Sequence, residues 1–120
     1  MRTVLLVEDD EAIRAIIAEG LGAAGYNVVA VPTTTEALRE LETHRQFDLA
    51  VIDVKMPPGQ PHGFAFGRIA RLNWPDLLLI FMSGDTGVAE ADGGEHPGPV
   101  LQKPVRIDEL LRTIEVEFIA

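Results

Sequence analysis

The chain has 120 residues, a hydrophobic content of 47%, a charged content of 24% and a formal net charge of −9. That is enough for one domain with a single core, and the acidic balance, with basic residues scattered singly, argues against nucleic-acid binding because nothing would neutralise phosphates. The absence of cysteine excludes disulfides, thiolate zinc sites and thiol nucleophiles.

Met1 lies just before an apolar run too short for a signal peptide or a membrane span. A soluble, cytoplasmic protein with no membrane partner is expected. Thr3 to Val7 is continuous, apolar and rich in branched side chains, the pattern of a strand buried on both faces. Asp9 or Asp10 then supplies a helix N-cap, and Ile13, Ile16, Ile17, Gly20, Leu21 and Ala24 follow at the spacing of one helical face. Gly25 stops that helix. Asn27 to Val31 reads as a second strand. Thr33 and Glu36 form a capping box for a helix through Thr43, with Ala37, Leu38 and Leu41 turned inward.

Leu49 to Ile52 is a third buried strand that ends at Asp53. Met56 to Gly63 holds three prolines and two glycines and is therefore a loop. A helix from Gly63 to Asn73 follows, closed by Trp74 and Pro75. Leu77 to Met82 is the most apolar segment and reads as a central strand. Between residues 84 and 99 glycine, acid and proline leave room for only a short helix near Val88 to Asp92. Val100 to Gln102 is a brief fifth strand. Ile107, Leu110, Leu111, Ile114 and Phe118 mark a final amphipathic helix.

Strands alternating with helices predict an α/β fold with a parallel sheet covered on both faces. Residues 1–120 are expected to form one domain. In such sheets functional side chains collect at the carboxyl ends of the strands. Those ends carry Glu8, Asp9 and Asp10, then Asp53, then Ser83 with Gly84, then Lys103 with Pro104. Several carboxylates, a hydroxyl and an amine thus reach one edge.

Clustered carboxylates repel one another, and a hard cation with oxygen ligands relieves that repulsion. Mg²⁺ suits best, because it needs one or two carboxylates and keeps waters for a phosphate. Asp53 is a candidate nucleophile able to form an acyl phosphate, with Lys103 bridging a phosphoryl oxygen and Ser83 donating to another. Gly84 would leave space for the group. Two bland readings stand beside this one. Asp9 and Asp10 read equally as a helix cap, and Asp53 with Lys103 as a structural ion pair. His44, His62 and His96 lack metal-ligand spacing, Gly20, Gly22 and Gly25 do not follow a strand, and Trp74 and the phenylalanines read as core.

The segments VLLVEDDEAIRAII, DLAVIDVKMP, FMSG and LQKPVRIDELL occur in an order and at separations that resemble the receiver domains of two-component signalling, over essentially the whole chain. The resemblance implies a flavodoxin-like, doubly wound five-stranded sheet of order 2-1-3-4-5, here with a shortened helix before the fifth strand and no output domain. It implies that Asp53 is the phosphoacceptor, that Ser83 and Lys103 assist it, and that Glu8, Asp9, Asp53 and the Lys55 backbone carbonyl serve Mg²⁺. It also implies a cis Lys103–Pro104 bond. The phosphoryl donor would be a histidine kinase or a histidine phosphotransfer protein, and an unidentified downstream protein would read the result. Catalysis would be limited to the domain's own phosphorylation and dephosphorylation.

Four departures from the pattern stand out. The loop PGQPHG is longer than the usual connection, and the helix near Val88 is abbreviated. Val100 stands where an aromatic residue often reports phosphorylation, which removes part of the usual switch. Lys55 and Asp85 occupy variable positions flanking the pocket, where their pairing would slow hydrolysis. Two other readings compete. A phosphorylation-independent interaction module would lack an acidic residue or the lysine, and none is missing. An aspartyl-nucleophile phosphatase of the haloacid-dehalogenase type usually has a second Asp where Lys55 stands.

Overall fold

Branched aliphatic side chains on both faces of each strand bury a parallel sheet in the computed structural model, which describes residues 1–43, 46–84 and 97–119. The elements run β1 (Thr3–Val7), α1 (Glu11–Ala23), β2 (Asn27–Val31), α2 (Thr34–Glu42), β3 (Leu49–Asp53), α3 (Gly63–Asn73), β4 (Leu78–Ser83), β5 (Val100–Gln102) and α4 (Ile107–Ile119). The sheet order is β2-β1-β3-β4-β5 and every pairing is parallel, as the alternation of strands and helices predicts. The short helix expected near Val88 to Asp92, with His44 and His96, lies outside the described residues. Among the described residues no helix is long and apolar enough to cross a membrane.

Strand side chains alternate between the two faces, and the core divides accordingly. Leu5, Val7, Ala50, Ile52, Leu79 and Phe81 pack with α2 and α3, through Ala37, Leu41, Phe64, Phe66 and Ala70. Val4, Leu6, Leu49, Val51, Ile80 and Met82 pack with α1 and α4, through Ile17, Leu21, Leu110 and Ile114. Val100 is half-buried against the first cluster.

Local signals set the element ends. Asp10, rather than Asp9, caps α1 by accepting from the Ile13 N–H at 3.0 Å. Beyond the helix, Tyr26 N–H donates to Leu21 O and Gly25 N–H to Gly22 O, the paired bonds of a Schellman stop. Gly25 has φ +99°, which a side chain would strain. Thr33 caps α2 by accepting from Glu36 N–H at 3.2 Å.

One expectation about α1 needs correction. Ile17 and Leu21 are buried, but Ile16 is 63% exposed. At 100° per residue Ile16 lies about 60° round the helix from Ile13, on the opposite side from Ile17, so it falls on the flank of the stripe. There it lines an apolar hollow with Ile13, Ile17, Pro104 and Val105.

Candidate functional site

The strand register sets the site. Val7 pairs with Ile52, so Glu8 comes level with Asp53, one residue beyond each strand's last shared rung. Asp53 pairs with Met82, and Ser83 pairs with Gln102. Lys103 N–H donates to Ser83 O at 2.7 Å, which carries the pairing past the end of β5. Glu8, Asp53, Ser83 and Lys103 therefore line the same sheet edge although they come from four strands. The Lys103–Pro104 peptide is cis, as the resemblance implies.

The side chains converge. Lys103 Nζ lies 2.6 Å from Glu8 Oε1 and 3.2 Å from Asp53 Oδ2. One carboxylate oxygen from each of Glu8, Asp9 and Asp53 can be chosen so that all lie within 4.8 Å of one another. Glu8, Asp53 and Ser83 are buried and Asp9 is exposed. Glu8, Asp9, Asp53 and Lys103 floor a cup of about 410 Å³ walled by Asp10, Ile13, Lys55, Met56, Pro57, Pro58 and Gly84.

Burial, and after it the Glu8 charge, pushes the Asp53 carboxyl from the ordinary 3.8 up to about 7, against the pull of Lys103. Burial also works against the Lys103 ammonium. The hydrogen bond to Glu8 and the charges of Asp53 and Glu8 outweigh it and hold the lysine above its usual value. Lys103 thus pairs with two of the three clustered carboxylates, Glu8 and Asp53. The donor set is all oxygen, partly sheltered and short of positive charge, which fits a hard divalent cation such as Mg²⁺.

Each expected site residue lies at this edge. The exposed Lys55 side chain borders the cup, and its backbone N–H donates to Asp53 Oδ1 at 3.3 Å. A Cβ built on Gly84 meets nothing within 4 Å, so contact with its surroundings does not demand that glycine. Asp85, the supposed partner of Lys55, lies outside the described residues.

Other contributors carry no obvious motif. A Cβ on Gly63 would stand 2.6 Å from Asp53 O and from Val54 Cα, so only glycine lets α3 begin against the end of β3. His62 is the N-cap of α3, its Nδ1 accepting from Phe64 N–H at 3.3 Å. The long loop is tied to α2: the buried Thr34 hydroxyl donates to Pro61 O at 2.9 Å, and Gln60 Oε1 accepts from Thr35 N–H at 3.3 Å. On the other side Arg14 Nη1 donates to Glu8 O at 3.0 Å and to Asp9 O at 3.5 Å. The only local hint of Arg14's place is a basic residue within the first turns of a helix that follows an acidic run.

The model of the response regulator receiver domain family matches residues 4–115. Across its full length the chain is 32% identical to the response regulator receiver protein CpdR of Brucella abortus, covering 99% of that protein. It is 33% identical to the sensor kinase CckA of the same organism over 94% of this chain, but the match spans only 12% of the kinase. Among solved structures, the chemotaxis response regulator CheY4 of Vibrio cholerae aligns with a TM-score of 0.83 at 28% identity, covering 97% of this chain and 98% of that one.

Proposed function

The chain belongs to the response regulator receiver domain family of two-component signalling, and from that premise we propose that it accepts a phosphoryl group on Asp53, with a divalent cation bound, and so changes its affinity for a partner. One observation carries the reading: the Glu8, Asp9 and Asp53 carboxylates and the Lys103 ammonium meet in one open cup at the carboxyl edge of the sheet.

Glu8, Asp9 and Asp53 would hold Mg²⁺, together with the Lys55 carbonyl that the family resemblance adds. The chemistry such a cation supplies when bound is charge neutralisation at phosphoryl oxygens and stabilisation of ionised Asp53. An Asp53 carboxylate oxygen attacks the phosphorus of a phosphohistidine. A P–O bond forms as the P–N bond breaks, and the imidazole leaves with the electron pair and takes a proton from solvent. Lys103, already 3.2 Å from Asp53 Oδ2, moves its ammonium to a phosphoryl oxygen. Ser83 donates its hydroxyl to another. No general base is needed once Asp53 is ionised, and the work is positioning and charge. The match to a stretch of a sensor kinase supports a histidine kinase, or a histidine phosphotransfer protein, as donor. The domain turns over no separate substrate, and its action belongs in the cytoplasm beside such donors.

Intact-mass measurement after incubation with a phosphorylated histidine phosphotransfer protein and Mg²⁺ tests this. One added phosphoryl group that is labile to hydroxylamine, and absent from Asp53→Asn and from EDTA-treated protein, is expected. Wild type that stays unlabelled with donor and Mg²⁺, yet retains native circular dichroism, would overturn the reading.

A further inference from the structure

The turn that joins β1 to α1 carries Asp9, the one exposed member of the Glu8, Asp9 and Asp53 cluster. Unlike Glu8 and Asp53, Asp9 is not fixed by burial, so its place depends on the backbone beneath it. Glu8 N–H donates to Val31 O at 3.1 Å at the sheet end, and two further ties hold the turn itself. From the inside, Glu8 Oε2 accepts from Asp10 N–H at 3.1 Å. From α1, the half-buried Arg14 lays Nη1 against the Glu8 carbonyl at 3.0 Å and the Asp9 carbonyl at 3.5 Å. Arg14 is itself anchored, its N–H donating to Asp10 O at 2.9 Å, and Asp10 caps the same helix through Ile13. The guanidinium therefore spans a short closed loop of backbone that includes the carbonyls of both acidic residues.

We propose that Arg14 is a positioning residue for the cation site, clamping the Glu8–Asp9 backbone so that the Asp9 carboxylate stays within ligating reach of Glu8 and Asp53. This deepens the phosphoacceptor reading and rests on it, because it takes the cup to be a divalent-cation site. The alternative is that Arg14 only secures the start of the helix. Charge separates the two ideas. A guanidinium near a cation site repels the cation through space, so removing it should tighten cation binding if charge were its whole effect. Removing a clamp should loosen binding. Groups that orient ligands from behind typically change metal affinity by 10–100-fold when lost.

The test titrates wild type, Arg14→Met and Arg14→Lys with Mn²⁺, following free Mn²⁺ by electron paramagnetic resonance, with urea unfolding of each protein in EDTA alongside. Methionine keeps the apolar stem and removes the donors. Lysine keeps the charge but, as a point donor, cannot reproduce the planar fork. The expected result is binding weakened about tenfold or more in Arg14→Met, with Arg14→Lys recovering part of the loss, while both variants stay fully folded at the titration conditions. Binding by Arg14→Met that is tighter than, or within twofold of, wild type overturns the proposal. Should Arg14→Met fail to fold, Arg14→Lys decides alone: a loss of about threefold or more supports the clamp, and unchanged affinity refutes it. Wild type that binds no Mn²⁺ removes the cation-site reading itself and this inference with it, an outcome distinct from wild type and variant binding alike.

Discussion

Replacing Asp53 with asparagine should stabilise the cation-free protein at pH 8. Burial and the adjacent Glu8 charge raise this carboxyl from 3.8 to about 7, despite Lys103. The native state therefore keeps a proton that the unfolded chain releases. Stability from this group is fully present below about pH 4 and is lost as pH rises through about 7. Fully expressed, the gap corresponds to about 4 kcal/mol. The mouth of the cup is open, and screening there reduces this to about 2 kcal/mol. The carboxamide escapes the cost, since it cannot ionise. It still offers an oxygen to the Lys55 N–H, and Lys103 keeps Glu8 at 2.6 Å. With a urea slope of about 1.5–2 kcal/mol/M, Asp53→Asn should unfold at roughly 1 M higher urea than wild type in EDTA at pH 8. The difference should shrink at pH 5 and largely vanish only below about pH 4, where both states hold the proton. Mg²⁺ should raise the wild-type midpoint and close the gap at pH 8, because a ligand that binds only the folded state stabilises it. An Asp53→Asn midpoint at or below that of wild type at pH 8 in EDTA would refute the reasoning. It would mean that Asp53 and Lys103 form a stabilising ion pair and that the cup holds no electrostatic strain for a cation to relieve.

The same geometry sets three further outcomes. Lys103→Met leaves Glu8 and Asp53 buried side by side without their ammonium, and should lower stability by about 2–3 kcal/mol at pH 8 in EDTA. A loss under about 0.5 kcal/mol in urea unfolding would count against a cup with one essential cation. Gly63→Ala drives a Cβ to 2.6 Å from the Asp53 carbonyl oxygen and Val54 Cα, so thermal melting should report a loss of about 2 kcal/mol or more, and a neutral substitution would refute the close approach. Thr34→Val leaves the Pro61 carbonyl without its 2.9 Å donor. It should cost about 1 kcal/mol and speed hydrogen exchange at Gln60 and Thr35, whereas unchanged exchange there would show that the loop does not depend on α2.

Much of this was readable before any fold was in hand, where the cause is local. Short apolar runs and 3.6-period stripes placed the nine described elements, because the strands here are predominantly apolar and each helix carries one apolar stripe. Thr33 and Gly25 marked helix ends by chemistry that acts over a few residues. Ile16 misled because an isoleucine near a stripe looks the same as one on it, and only the width of the sheet under α1 decides which is covered. His62 reads as a bare loop histidine, and its cap bond to Phe64 N–H exists only once α3 begins at Gly63. Arg14, Gln60 and Thr34 went unmarked because their partners are backbone atoms, which no residue pattern advertises.

By itself the order of residues determined that this is an alternating α/β chain whose chemically useful side chains stand at strand ends, since both facts follow from short-range periodicity and from where apolar runs stop. Only the tertiary structure decided that Glu8 comes level with Asp53 and that Lys103, 95 residues away from Glu8, reaches it at 2.6 Å. The reason is physical: Coulomb energies and pKa values depend on distance and burial, and those are properties of strand register and of the packing that buries one carboxylate beside another.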